Sequence, residues 1–242
     1  MGFRWRLCLD RYLDREIAAG AVWESNSVKL IRDLVKPGMY ILDVGANFGY
    51  FTLLLARLVS PSGRVIAIEP TREYMSRLEW HLRKNHIENV TVERIGLSDE
   101  NKDVEIAIGE CSATLHWCAD NSPRLREKVK LMRLDDWLDS HSAGGYPDRL
   151  DFLKVDVDGH EPQFLVGAER TLRRHRPYIL IEFCQEALFA AGYYAWDLAD
   201  QLESLGYILC SEKDGQPFRN RRALLKEAGN FSHSTNVLAR PT

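Results

Sequence analysis

The chain has 242 residues, 45% of them hydrophobic and 28% charged, with a formal net charge of -3. These are the proportions of an ordinary soluble globular protein, with room for one α/β domain and a large core. The chain carries neither a basic nor an acidic tail, and nothing in its charge balance calls for nucleic acid or an anionic membrane surface as partner. The five cysteines, Cys8, Cys111, Cys118, Cys184 and Cys210, are odd in number and include no CxxC pair. A disulfide framework is therefore not expected, and the pattern suits a reducing, cytoplasmic setting. Cys111 and Cys118 match no common zinc spacing. The first twenty residues are too charged for a signal peptide, and Arg6 stands where a myristoylation motif needs Ser or Thr. No apolar run approaches the ~18 residues of a membrane span.

Residues 1–36 read as helical: Leu9, Tyr12, Leu13 and Ile17 recur at helical spacing, and Gly20 punctuates. Ser27 is placed to cap a second helix, which stops at Pro37-Gly38. "MYILDV" then reads as a short buried strand, "FGYFTLLLARLV" as a helix and "RVIAIEP" as a second strand. "REYMSRLEWHLRKNH" follows as an amphipathic helix and "NVTVERIGLSD" as a third strand. Such alternation is the signature of βαβ units and a parallel sheet. Residues 100–134 break the rhythm: "KDVEIAIG" and "KVKLMRL" alternate with period two, like antiparallel strands inserted at the edge or over the mouth of the sheet. A short helix "LDDWLDS" and a loop "GGYPDR" follow. The alternation then resumes with strand "LDFLKVDV", helix "HEPQFLVGAERTLRRH", strand "YILIEF", helix "AWDLADQLESL", strand "YILCSE" and a last strand "STNVLAR". With no repeat and no linker, residues 1–242 read as one domain, a helical cap over 1–36 and an α/β core over 37–242.

The first strand ends in Asp43-Val44-Gly45-Ala46-Asn47-Phe48-Gly49. A Walker loop would close on Gly-Lys-Ser/Thr, but Gly49 is followed by Tyr50 and Phe51. A nicotinamide fingerprint needs a second glycine where Asn47 stands. S-adenosylmethionine, which has no phosphate, suits the pattern better. Gly45 and Gly49 permit close backbone approach, Asp43 lies at the strand end for the ammonium and sulfonium, and the next helix N-terminus can receive the methionine carboxylate. Glu69, ending "VIAIE", is placed for the two ribose hydroxyls. The plainer alternative makes Asp43 a turn cap, Gly45 a hinge and Glu69 one more acidic strand end.

From these motifs outward the sequence resembles the FkbM-type methyltransferases, a branch of the Rossmann-like S-adenosylmethionine-dependent enzymes. The likeness runs from about Asp10 to Ala239. "KPGMYILDVGANFGYFTLLLA" is similar to the family's first motif, "VIAIEP" to its second, and "NVTVERIGLSD" to the segment that ends beside the adenine. "LDDWL", "LDFLKVDVDGHEPQFLVGAERTL" and "RPYILIEF" resemble later segments, with Asp158 where the family usually has Glu. The resemblance implies a mostly parallel central sheet with helices on both faces, carrying a β insertion around 100–134 and an N-terminal helical cap. It also implies methyl transfer, typically to a hydroxyl of a sugar, glycan or natural product. Glu24 resembles an acidic position before the helix that leads to the first strand. The candidate cofactor contacts are then Glu24, Asp43, Gly45, Ala46, Asn47, Phe48, Gly49, Glu69, Pro70, Gly96, Leu97 and Asp156.

Methyl transfer from a sulfonium is a one-step displacement that needs alignment, exclusion of water and, for a hydroxyl, removal of a proton. Ligands of open parallel sheets lie at the carboxyl ends of the strands. This brings Lys154, Asp156, Asp158, His160, Glu161 and Glu182 near the reaction. His160, with an ordinary pKa near ~6.5, is the first candidate for the base; alternatively it caps the helix at Glu161 and points to water. Lys154 and Asp156 form either a buried ion pair or an acceptor-orienting pair, and Glu182 hydrogen-bonds the acceptor or ties down a loop. Asp156 and Glu182 could hold Mg²⁺, but no third ligand is visible and no metal is assigned. Acceptor selection is expected within 100–134 and 184–196, where His116, Trp117, Phe189, Tyr193, Tyr194 and Trp196 offer aromatic faces. The expected partner is a small-molecule or glycan acceptor, with oligomeric state left open between a monomer and a homo-oligomer. N-methylation of an amine or amino-sugar, a non-catalytic S-adenosylmethionine-binding domain and a nicotinamide dehydrogenase are the alternatives.

Overall fold

The computed structural model describes residues 2–109, 113–115, 125–141, 149–231 and 234–242. Its first half holds α1 (Tyr12–Ala18), α2 (Ser25–Leu34), β1 (Tyr40–Val44), α3 (Tyr50–Val59), β2 (Arg64–Ile68), α4 (Arg72–Lys84), β3 (Val90–Glu93) and β4 (Gly96–Leu97). Next come β5 (Lys102–Ile108), β6 (Ala113–Thr114), β7 (Leu125–Met132), α5 (Leu134–His141), β8 (Phe152–Val155), α6 (Glu161–Gly167) and α7 (Glu169–His175). The chain continues through β9 (Tyr178–Phe183), α8 (Gln185–Ala190), α9 (Ala195–Ser204), β10 (Tyr207–Ser211), α10 (Arg221–Ala228) and β11 (Thr235–Pro241).

Runs such as "YILDV" and "FLKV" can be buried on both faces, and this favours a parallel sheet covered by helices. Among the described residues the main sheet has the order β10-β11-β9-β8-β1-β2-β3. Strands β3, β2, β1, β8 and β9 pair in parallel, while β11 runs antiparallel between β9 and β10. Side chains alternate between faces. Leu42, Val44, Ile66, Ile68, Leu153 and Val155 pack on one side with α6, α7 and α9. Ile41, Val65, Phe152 and Leu180 pack on the other, with α2 and α3. The fold class is the expected Rossmann-like α/β arrangement.

The inserted strands are also as expected: β5 and β7 pair antiparallel in a second sheet of order β4-β7-β5-β6. The expected third strand, however, is two. It ends in the main sheet at Glu93, and Gly96 and Leu97 then pair with Leu131 and Met132 of β7. The expected helix 160–175 is likewise broken at Ala168. There Gly167 lies so close to the backbone of Ser98 that a Cβ would sit 1.8 Å from its carbonyl oxygen. The loop expected at 144–149 lies outside the described residues except for Arg149.

The N-terminal reading needs correction. Residues 2–11 are not helical: side chains of α4 and of Asn85, which caps it, take backbone groups of Arg4 and Arg6. Asn85 accepts from Arg4 N (2.7 Å) and donates to Arg4 O (2.9 Å), and His81 Nε2 accepts from Arg6 N (2.9 Å). Ser27 is no cap either. The N-cap of α2 is Glu24, in the left-handed region (φ 46°), while Ser27 is inside the helix and bonds Glu212 and Asn236. A buried ion pair holds this segment down: Arg77 Nη2 lies 2.6 Å from Asp14 Oδ2, which also accepts from Cys8 N. Asp14→Ala would strand a buried guanidinium and is expected to cost about 3–5 kcal/mol in urea unfolding. Asp14→Leu combined with Arg77→Met should cost less; an equal loss would show that the charges are not the cause.

Candidate functional site

The loop after β1 is tied inward. Gly45 N and Ala46 N donate to Ile68 O (3.1 and 2.9 Å), and Gly49 N donates to Ala46 O (2.9 Å). Asn47 N donates to Glu69 Oε2 (2.9 Å) and Phe48 N to Asn47 Oδ1 (2.8 Å). All five amides of residues 45–49 therefore have protein acceptors, unlike a loop that offers its N–H groups to phosphate. The two glycines also have nearer causes than a ligand's approach. Gly45 has φ +80°, and a Cβ there would lie 1.8 Å from Asp156 O, so β8's exit must pass against it. Gly49, with φ +97°, makes room for Leu78 of α4, 2.4 Å from where its Cβ would be, and does not line the cleft.

The cleft has a volume of about 300 Å³ and lies at the carboxyl ends of β2, β1, β8 and β9. Glu24, Asp43, Gly45, Ala46, Asn47, Phe48, Glu69, Pro70, Gly96, Leu97, Lys154, Asp156, His160 and Glu182 all line it. Asp43 is 2% exposed and accepts from Thr52 Oγ1 (2.5 Å). Burial pushes its carboxyl up to about 6 against the pull of that bond and of Lys154. Glu69, 3% exposed, accepts from Asn47 N and from Thr71 N and Oγ1 (2.9 and 2.7 Å). Burial still pushes it up to about 7. The three bonds aim its carboxylate and leave lone pairs for a ligand.

Lys154 is the buried cation of this cluster, with Nζ 2.9 Å from Asp156 Oδ2 and 5.1 Å from the centre of the Phe51 ring. Burial pulls its pKa down, but Asp156, Glu24 and Glu182 more than reverse this and hold it above the ordinary lysine value. Glu24 accepts from Trp23 Nε1 (2.9 Å) and Asn236 Nδ2 (2.5 Å), and burial raises its pKa. Asp158 occupies a left-handed turn (φ 51°); burial first, then Asp156, Glu161 and Glu69, raise its pKa well above the ordinary range. Glu161 is buried and accepts from Val157 N (2.9 Å), tying the turn that carries Asp158. His160 does not point to water as a helix cap: it is 8% exposed, and its Nε2 is 2.9 Å from Ser98 Oγ, which donates to Asp99.

Several wall residues escape sequence reasoning. Tyr12, Leu13 and Trp23 come from the N-terminal segment, and Ile106, Val129 and Leu131 from the second sheet. Period-two alternation in β5 and β7 was the one available signal for the last three. Of the expected acceptor contacts, Phe189, Tyr193, Tyr194 and Trp196 lie outside the cleft; the Tyr194 and Trp196 rings stack on each other 4.2 Å apart. His116, Trp117, Cys111 and Cys118 lie outside the described residues. No group of three or more metal-ligating side chains occurs among the described residues, nor does a helix long and apolar enough to cross a membrane.

Both loop glycines have positive φ, so a side chain at either costs ~1–2 kcal/mol from backbone alone. Gly45→Ala meets backbone and Gly49→Ala only the side-chain tips of Leu78 and Leu53, which can turn aside. Chemical unfolding is expected to show the larger loss for Gly45→Ala; equal losses would count against the Asp156 contact.

Comparison with known proteins bears on the family and the fold. The family profile described as "Methyltransferase FkbM domain" matches residues 43–209. The AMB antimetabolite synthetase AmbE of Pseudomonas aeruginosa is 25% identical over 236 residues, covering 84% of this chain but 11% of AmbE. The chain thus spans only a small part of that relative. Methyltransferase 1 of Beauveria bassiana is 24% identical over 196 residues, covering 72% of this chain and 74% of that protein. Two solved structures share the fold. Methyltransferase FkbM from Methylobacillus flagellatus has a TM-score of 0.53 at 17% identity, over 94% of this chain and 59% of that one. The S-adenosylmethionine-dependent O-methyltransferase from Thermotoga maritima has a TM-score of 0.52 at 16% identity, over 94% of this chain and 70% of that one. With more than half of its length matched by the profile, the chain belongs to the methyltransferase FkbM domain family, whose methyl donor is S-adenosylmethionine.

Proposed function

We propose that this chain transfers the methyl group of S-adenosylmethionine to a hydroxyl of a small-molecule or glycan acceptor. The observation that carries the reading is the loop over 45–49, whose amides are all consumed within the protein while Asp43 and Glu69 flank it. Such a loop suits a ligand without phosphate. Glu69 accepts the ribose hydroxyls; Pro70, Gly96 and Leu97 wall the adenine, with Ile106 and Leu131 of the second sheet beside them. Asp43 and Glu24 face the cationic methionine end, and Asp156 lies between donor and acceptor. The donor supplies an electrophilic methyl on sulfur; the protein orients it and keeps water out. Residues 2–36 act with the core as one unit, since Tyr12, Leu13, Trp23 and Glu24 wall the same cleft. The free Cys8, Cys184 and Cys210 support a cytoplasmic setting. A second reading, transfer to an amine, is favoured by one observation: Glu24, Asp156, Asp158 and Glu182 face a single lysine.

Calorimetric titration with S-adenosylmethionine, with NAD as control, tests the reading: only the former should bind. Glu69→Ala removes two hydrogen bonds to a charged acceptor and is expected to weaken donor binding by tenfold or more, about 1.5–3 kcal/mol. Unchanged affinity would sink the ribose assignment.

Affinity should also depend on pH. As pH falls through about 7 and then about 6, Glu69 and Asp43 of the free protein take up protons and lose the charge that attracts the cationic donor. The free fold shows the opposite trend. Both carboxyls bind protons more readily folded than unfolded, so its stability rises as pH falls from about 7 toward the ordinary carboxylate values. Calorimetry and thermal melts at pH 8 and pH ~5.5 should show weaker binding with a higher apo melting point at the lower pH. Parallel trends would contradict the assignment.

A further inference from the structure

The carboxylates of the cleft differ in what they already hold. Asp43 is bonded by Thr52, Glu69 by Asn47 and Thr71, Glu24 by Trp23 and Asn236, and Asp156 by Lys154. The side chain of Glu182, half-buried at the end of β9, makes neither a hydrogen bond nor an ion pair within the described residues. Its position follows from register. Asp43 pairs with Lys154, Lys154 with Leu180, and Glu182, two residues on, shares their face of the sheet and lies opposite Asn236. Across the cleft from β2 to β9 the order is therefore Glu69, Asp43, the Lys154–Asp156 pair and Glu182. If the ribose lies on Glu69 and the sulfonium over β1, the acceptor lies on the β9 side.

We propose that Glu182 is the catalytic base, the group that takes the proton of the acceptor hydroxyl. This rests on the reading of the cleft as the donor site. In the step, an oxygen lone pair of the acceptor forms the bond to the methyl carbon and the carbon–sulfur bond breaks. Its electron pair stays on sulfur and leaves S-adenosylhomocysteine. The hydroxyl proton passes to a Glu182 oxygen, so one cationic sulfonium and one carboxylate become a neutral thioether and a neutral carboxyl. The other candidates are otherwise engaged. Lys154 is held protonated by the carboxylates around it, and His160 Nε2 is directed at Ser98 Oγ. Burial, then Asp156, Asp158 and Glu161, raise the proton affinity of Glu182 well above that of an ordinary carboxylate, which suits a base.

The test needs no acceptor. Sinefungin carries an ammonium on carbon where the donor carries its methyl on sulfur, and S-adenosylhomocysteine carries nothing there. Calorimetric titration of the full chain should show sinefungin binding at least about tenfold more tightly than S-adenosylhomocysteine, because its ammonium meets Glu182. Glu182→Gln should bring the two ligands to within about twofold of each other and leave S-adenosylhomocysteine affinity as it was. A purely structural role for Glu182 would not move that ratio. The assignment is overturned if the native chain shows no preference, if Glu182→Gln keeps it, or if both affinities fall together. Binding of neither ligand to the native chain would overturn the donor reading itself, and the base assignment with it.

Discussion

The buried ammonium of Lys154 is the constraint on which the site is built. Taking an ammonium out of water costs several kcal/mol, recovered only if carboxylates meet it inside. Asp156 meets it directly, and Glu24 and Glu182 do so through space. These groups come from β8, from the entrance of α2 and from β9. One charge thus draws Glu24 together with Asp156 and Glu182, both more than a hundred residues further along the chain. Burial first, and then the carboxylates' own crowding, raise the proton affinity of Glu24, Asp158 and Glu182 above the ordinary range. A cleft with more carboxyl groups than cations is prepared for a cation, and the sulfonium donor is one.

The glycine loop depends on the N-terminal segment as much as on β1. Phe48 lies under the Arg77 guanidinium (4.5 Å) and meets the edges of Trp5 and His81. His81 Nε2 accepts from Arg6 N, so its Nδ1 carries the proton and donates to Phe48 O (2.8 Å). Burial first, and the nearby Arg77, hold His81 below its ordinary pKa, in keeping with that neutral tautomer. Trp5 and Arg6, outside the cleft, are thereby tied to the loop that forms its floor.

The second sheet does different work. Its apolar residues Ile106, Val129 and Leu131 form a small cluster that turns toward the cleft beside Glu69, at the end opposite Glu182. The inserted strands therefore wall the half of the cleft assigned to the donor. The half proposed for the acceptor is bounded by β9, the turn through Asp158 and the start of β11.

The sequence by itself determined the alternation of elements, the parallel core and the motif that ends in Asp43 and Glu69. Each is set by local periodicity, or by a residue type at a strand end. It also brought nearly every candidate contact to one cleft, because strand ends in a parallel sheet share an edge. The partners were decided elsewhere. Only the tertiary structure tied His160 to Ser98, made Glu24 rather than Ser27 the entrance of α2, and bonded the backbone of Arg4 and Arg6 to Asn85 and His81. It likewise turned the loop glycines toward Asp156 and Leu78. These outcomes depend on which distant group reaches a buried donor or acceptor first. Periodicity along the chain carries no record of that competition, since every buried polar group must find a partner and the nearest in space is seldom the nearest in sequence.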